Sequence, residues 1–394
     1  MKKQTLILIL FTLLFSAGLN AQITTSKIKG MVIDTNKNPL FGANIVVLHT
    51  PTGTLSGTIA NDTGKFTIPN LRVGGPYKIT FSYVGYKEQV INNIFLTLGK
   101  TTEVVGEISD SGEALDEIII TSSKSKIFNK DRTGAQTSIS TLQLKTLPTI
   151  SRSASDFTRL EPSASGNSFG GRNDQFNNFS LDGAIFNNPF GLDSPTPGGQ
   201  TDAQPISLDA IDQISVSVAP YDVTQSGFTG ATVNAVTKSG TNEFKGTAYG
   251  FYRDENLTGG KIRGFKVAKA DLSQTQYGFS IGGPIIKNKL FFFANFEKDD
   301  RTDIGTNGWE PNTGSNAVNE SSVAEGDLIS VQSALSALGY DTGRYEGFTY
   351  GSESRKGLLK LDWNLNEKHR LALIYNFLRA SKEKPAHPPY STRS

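Results

Sequence analysis

The 394-residue sequence contains no cysteine, three histidines, two tryptophans and no excess of either charge: 39 Lys and Arg face 37 Asp and Glu, for a formal net charge of +2. Each shortage closes a class of function. Without cysteine there is no disulfide scaffold, no thiol nucleophile, no Cys-ligated zinc and no lipoprotein anchor. His49, His369 and His387 stand far apart, which argues against a histidine metal site. A balanced charge gives no basic stripe for nucleic acid. No apolar run is long enough to span a bilayer as a helix, since Leu6 to Phe15 is the longest. What the chain does have is 40 glycines and 24 phenylalanines set among Ser, Thr and Asn, the composition of turn-rich, mainly β structure.

The N-terminus reads as an address. Lys2 and Lys3 precede the apolar run, small and polar residues follow, and cleavage after Ala21 would leave Gln22 first. Residues 1–21 are therefore expected to be a signal peptide that sends the chain out of a bacterial cytoplasm. Residues 22–108 carry short alternating segments: Ile28 to Asp34, Ala43 to His49, Lys65 to Ile68, Tyr77 to Tyr83, Tyr86 to Val90 and Thr102 to Ile108. About seven strands at a spacing of roughly 8–12 residues predict an antiparallel sandwich. Gly30 to Asp34, Pro39 to Ala43, Asp62 to Phe66 and Tyr83 to Tyr86, in that order, resemble the carboxypeptidase regulatory-like domain, which implies a transthyretin- or Ig-like sandwich. No enzyme follows from that name. His49 has no acidic residue at ligand spacing and is expected at a strand end on the surface.

Residues 109–130 form a polar linker interrupted by Asp116, Glu117, Ile118, Ile119, Ile120 and Thr121. A β-branched run with no nearby partner strand suits capture by another protein through strand addition. The run resembles the TonB box of outer-membrane transporters of the Bacteroidetes kind. That resemblance implies TonB, with its ExbB/ExbD complex, as a partner that pulls on the segment.

Residues 131–240 mix elements, as an α+β unit. Leu142 to Pro148 predicts a helical turn stopped by proline, and Ser153 to Leu160 a second helix with Ser153 as N-cap. Ala210 to Val218 alternates as a strand. Leu147 and Pro148, Ser151 to Ser153, Arg159 and Leu160, Ile211 to Val218 and Gly227 to Gly246, together with Gly171, Arg172, Leu181, Asp182 and Gly183, resemble the plug of TonB-dependent receptors, in the Oar-like branch. Asp174 belongs to the same motif region. Asp174 and Asp182 are expected to form caps or salt links, with Arg172 as an ion-pair partner. No phosphate-loop or EF-hand spacing is present. Ser122 to Lys126 after the hook argues against an obligate SusD-type lipoprotein partner.

Residues 241–394 carry five alternating segments: Phe244 to Arg253, Gln276 to Gly282, Leu290 to Glu297, Leu358 to Asn364 and Leu371 to Phe377. Short turns alternate with long polar stretches, Asp254 to Leu272 and Asp299 to Arg355, the pattern of an outer-membrane β-barrel with long extracellular loops. Five strands cannot close, and an open edge in lipid leaves backbone groups unpaired. The expectation is thus an incomplete barrel, the N-terminal part of a longer protein. Altogether the resemblance implies an outer-membrane receptor that binds an unidentified extracellular ligand and moves it with TonB-transduced energy, without catalytic residues, metal or cofactor. The alternative is a surface-binding or adhesion protein that does not transport.

Overall fold

The computed structural model describes residues 24–110, 135–149, 152–187, 196–218, 220, 225, 227–267, 272–304, 310–316, 320–343, 349–366 and 369–383. The expected signal peptide and the hook Asp116–Thr121 lie outside the described residues. The chain is mainly β, with three units in sequence.

The first unit is the expected sandwich, with seven strands. They are β1 (Ser26–Asp34), β2 (Asn44–His49), β3 (Thr54–Ile59), β4 (Lys65–Leu71), β5 (Gly74–Ser82), β6 (Gln89–Leu96) and β7 (Thr101–Ile108). One sheet runs β4-β1-β7 and the other β3-β2-β5-β6. Period-two alternation sends Ile45 and Val47 of β2, and Tyr77, Ile79 and Phe81 of β5, into a core closed by Ile28, Phe66 and Val104. β1 and β7 pair in parallel, from Lys27 opposite Thr101 to Asp34 opposite Ile108. Gly30 permits this approach, because a Cβ there would overlap the carbonyl oxygen of Val104.

His49 is not on the surface. It is 5% exposed, its Nδ1 lies 2.6 Å from Thr52 Oγ1, and its ring lies 4.7 Å from that of Tyr77. The strand simply places position 49 on the same inward face as Ile45 and Val47.

The middle unit begins with β8 (Ala135–Ile139), α1 (Thr141–Thr146) and α2 (Ser155–Thr158). Ser140 caps α1 in a reciprocal box with Gln143, and Leu147 is extended ahead of Pro148, which ends the helix. Ser153 is not the cap of α2. Ala154 occupies that position without a side-chain bond, and the fully buried Ser153 hydroxyl pairs with Ser155 Oγ at 2.6 Å. After a small hairpin of Ala164–Ser165 and Ser168–Phe169, four strands complete the unit's main sheet: β9 (Asn178–Leu181), β10 (Ala184–Ile185), β11 (Ile211–Val218) and β12 (Ala231–Thr237). The sheet order is β10-β9-β12-β11-β8, with β9 and β12 parallel and the other pairs antiparallel. β9 and β12 are buried at every position, as strands covered on both faces must be.

The third unit is built on a five-stranded antiparallel sheet, with two small strand pairs in its connections, and each of the five strands pairs with its neighbours in sequence: β13 (Lys245–Asp254), β14 (Ser273–Ile286), β15 (Leu290–Ile304), β16 (Thr349–Asn364) and β17 (Arg370–Lys382). All five expected strands are present and four are much longer than their apolar stretches, with β16 reaching 16 residues. The sheet is open, with β13 and β17 at its edges. Lys287–Lys289 and 365–369 are its short turns, and 255–272 and 305–348 its long connections. The stretch expected as one polar loop from Asp299 to Arg355 therefore loses both ends to β15 and β16, and contains a helix, α3 (Glu325–Ala337).

Polarity in this sheet is inside-out. On β16 the side chains of Ser354, Lys356, Leu358, Lys360 and Asp362 are buried, as is Gly357, while Leu359 and Trp363 are exposed. Tyr277, Phe279 and Ile281 on β14 and Leu371, Leu373, Tyr375 and Phe377 on β17 are also exposed. In water such a face would aggregate, and in a bilayer it is the lipid surface of a barrel. Among the described residues no helix is long and apolar enough to cross a membrane.

Candidate functional site

The middle unit rests against the inner face of the barrel sheet on a mixed seam: Phe293 of β15 and Leu358 of β16 join its apolar core, and the remaining contacts are polar or charged. Because strand side chains alternate, Lys356, Lys360 and Asp362 of β16 share that face. Lys356 Nζ lies 2.7 Å from the fully buried carboxylate of Glu297 on β15. The second oxygen of Glu297 accepts from Ser207 Oγ of the middle unit at 2.7 Å and from the Tyr249 hydroxyl of β13. One buried carboxylate is thus shared by two barrel strands and the unit they hold.

The Leu181–Asp182–Gly183 motif makes the second anchor. Leu181 is buried in the core of the middle unit, and the chain then turns back with Asp182 at φ +48° and Gly183 at φ +87°. Aspartate and glycine tolerate this left-handed turn better than other residues. The turn aims the Asp182 carboxylate at Thr237, whose backbone N–H donates to it at 3.0 Å and whose hydroxyl donates at 2.5 Å. Lys360 Nζ completes the set, 3.2 Å from Asp182 and donating to the Thr237 carbonyl and hydroxyl oxygens.

Asp209 makes the third. It accepts from Lys238 Nζ at 3.2 Å and from Thr247 Oγ1 of β13 at 2.9 Å. Burial opposes its ionisation, but hydrogen bonds from Ser280 and Thr247 and the Lys238 ammonium outweigh burial and hold its pKa below the usual carboxylate value. Nearby, the Arg152 guanidinium lies 4.1 Å from the Phe251 ring centroid and 4.9 Å from that of Tyr249. Lys382 of β17 pairs with Asp202, and Asn376 Nδ2 donates to the Pro205 carbonyl at 3.1 Å.

Gly171, Arg172 and Asp174 lie at the other end of β9 from Asp182 and Gly183. The Arg172 backbone N–H donates to the Phe169 carbonyl at 3.0 Å, and its side chain lines a shallow cleft of about 420 Å³ with Phe169, Val218, Gln225 and Phe228. Asp174 opens a short 3-10 turn capped by Asn173. Among the described residues Arg172 makes no salt link to Asp174 or Asp182, and Lys360 pairs with Asp182 instead. Sequence reading passed over Lys356, Lys360, Glu297 and Ser207. The available signal was period two, which puts Lys356, Lys360 and Asp362 on the face opposite Leu359, Leu361 and Trp363. Among the described residues no group of three or more His, Asp or Glu could hold a metal ion.

Comparison with known proteins matches both ends of this architecture. Residues 27–108 match the carboxypeptidase regulatory-like domain, and residues 236–313 match an outer membrane beta barrel domain. Over 314 residues, 75% of the chain, the sequence is 26% identical to the TonB-dependent transporter Oar of Myxococcus xanthus. The chain is thus similar to a TonB-dependent transporter over three quarters of its length. It spans 28% of the length of Oar. Partial overlaps occur with the siderophore receptor PirA of Acinetobacter baumannii (18% identity, TM-score 0.41, 63% of this chain and 32% of that one). The outer membrane transporter YddB of Escherichia coli overlaps similarly (15% identity, TM-score 0.42, 63% and 33%). By description these three proteins are two transporters and a receptor. With its match to an outer membrane beta barrel domain and an apolar outward face, the chain belongs in the outer membrane.

Proposed function

We propose that the chain carries the working parts of a TonB-driven outer-membrane transporter, with residues 131–240 as the plug. The observation that carries this reading is the charged seam between the middle unit and the barrel sheet. Phe293 and Leu358 bring only part of an apolar core to that seam, so the hydrophobic cost of parting it is modest. The Asp182–Lys360, Ser207–Glu297 and Asp209–Thr247 bonds beside them exchange for water once a path opens.

In this reading the ligand arrives on the side of the long connections, where the cleft beside Gly171 and Arg172 lies. The sandwich contacts the short-turn end and occupies the periplasmic side. Asp116–Thr121 recruits TonB as an added strand, and force applied there remodels the seam. The energy comes from the inner membrane through TonB, so no catalytic group is required. The ligand class is left open by a neutral chain with Asn- and Gly-rich loops.

Transport and mere surface binding separate on the hook. Ile119→Pro removes the backbone donor that strand pairing uses. Cells carrying the full-length gene should lose uptake of whatever solute the wild type depletes from a defined medium, yet still bind it at the surface. Undiminished uptake by the variant would leave only the adhesion reading.

A further inference from the structure

The sandwich touches both of the other units at once, and the two sets of contacts differ in kind. Toward the middle unit it presents the Thr97–Gly99 turn as a peg. Leu98 is fully buried there, in a small apolar cluster with Val73 and Val236. The Gln213 side chain grips the backbone around it like an added strand: its Oε1 accepts from Leu98 N–H at 2.8 Å and its Nε2 donates to the Leu96 carbonyl at 3.1 Å. Ser138 Oγ reaches the Leu98 carbonyl at 3.4 Å, and a Cβ added at Gly99 would strike the Gln136 amide.

Toward the barrel the sandwich is bound at the short-turn end. Arg72 pairs with Asp362 at 3.3 Å, Arg370 Nη2 donates to the Asn70 carbonyl at 2.7 Å, and Asn364 Nδ2 donates to Thr54 Oγ1 at 3.0 Å. The Asn242 N–H donates to the Pro51 carbonyl at 2.8 Å. Asp362 lies two residues beyond Lys360, so one strand end anchors the middle unit and the sandwich side by side.

We propose that the sandwich is a releasable brace: it ties the middle unit to the barrel wall from the periplasmic side, and the middle unit moves in the barrel only after the brace lets go on one side. The proposal rests on the transporter reading for its purpose, but not for its test. The buried apolar cluster at the joint with the middle unit has three residues, and the other contacts named above are polar groups that water can satisfy on release. A purely structural spacer would need neither property, nor a grip on both neighbours.

Hydrogen exchange on the full-length protein in outer-membrane vesicles tests this. The readout is the amides of Asn178–Leu181, which pair with Thr232–Ala235 and Ala184–Ile185 and make no contact with the sandwich given above. The double variant Arg72→Ala, Gln213→Ala removes one contact on each side. It should speed exchange at Asn178–Leu181 about tenfold, the scale of a lost buried hydrogen-bonded partner. Gly53→Cys with Asn288→Cys provides the converse. An ideal Cβ at Gly53 lies 3.3 Å from Asn288 Cβ, just short of the usual disulfide separation. The 394-residue sequence offers no competing thiol.

In the double-variant background the oxidised pair should restore slow exchange, and reductant should abolish the rescue. In the wild-type background oxidation should slow exchange further, so a poorly inserted double variant does not end the test. The single Gly53→Cys variant controls for its left-handed backbone, φ +64°. Changes confined to residues 96–98, 136–138 and 213, or an oxidised pair without effect at Asn178–Leu181, would overturn the brace. None of these readings involves TonB, so failure of the transporter reading would show separately in the Ile119→Pro variant.

Discussion

Lys360 is a cation on a face that would otherwise be read as barrel wall, and its worth lies in what it prevents. Its side chain is 6% exposed and that of Asp182 is 8% exposed, so neither charge can find water if the other is removed. Breaking a buried pair costs about 3–5 kcal/mol, whereas replacing both partners costs far less. Lys360→Met alone should therefore loosen the middle unit strongly, and Lys360→Met with Asp182→Asn should recover much of the loss. A double-mutant cycle on thermal unfolding measures the coupling, and additive effects would mean that the pair does not hold the seam. His49 makes a different prediction. Burial, helped by the Arg72 and Arg370 cations, lowers its pKa from 6.5 to about 3. Above pH 6.5 the ring is neutral in both folded and unfolded chains, and its contribution is complete. As pH falls through the window from 6.5 toward 3, only the unfolded chain takes up the proton, so stability falls by up to about 1.4 kcal/mol per pH unit. The denaturant midpoint of the sandwich should drop from pH 6.5 to 4.5, and His49→Gln should flatten that slope.

At the scale of elements, the two-faced strands decide between membrane and solvent. Leu373 is 65% exposed on β17. Leu373→Arg puts a cation on the lipid face, at a cost of roughly 2–4 kcal/mol near the bilayer midplane. Urea titration of the full-length protein in lipid vesicles should show that loss, and an unchanged midpoint would argue that the face does not meet lipid. The apolar centres of these strands were legible in sequence because alternation marks them. Their polar extensions were not. β15 continues through Lys298, Asp299, Asp300 and Arg301 on ladder hydrogen bonds to β16, with Lys298 lying 3.7 Å from Glu353 across the pair. Nothing in a run of charges announces such pairing. Helix α3 was missed for a related reason. None of its residues is buried and Ala324 caps it without a side-chain bond, which leaves Glu325 and Asp327 in the first turn as its only local signal. In the seam, Leu181, Asp182 and Gly183 stood out as a motif, but their partner Lys360 lies 178 residues downstream of Asp182. Only the fold could join them.

On the scale of the whole molecule, three units share one axis of contact. The sandwich sits at the short-turn end, the middle unit lies against the barrel's inner face, and the hook falls in the sequence between the first two. Under the proposed function, such an order suits a pull from the periplasmic side. The measurement that tests this most directly is the binding of purified TonB C-terminal domain to the full-length protein in detergent, by calorimetry, with wild type beside Ile119→Pro. Saturable binding by the wild type and its loss in the variant is the predicted result. Equal binding by both, or none by the wild type, would contradict the account.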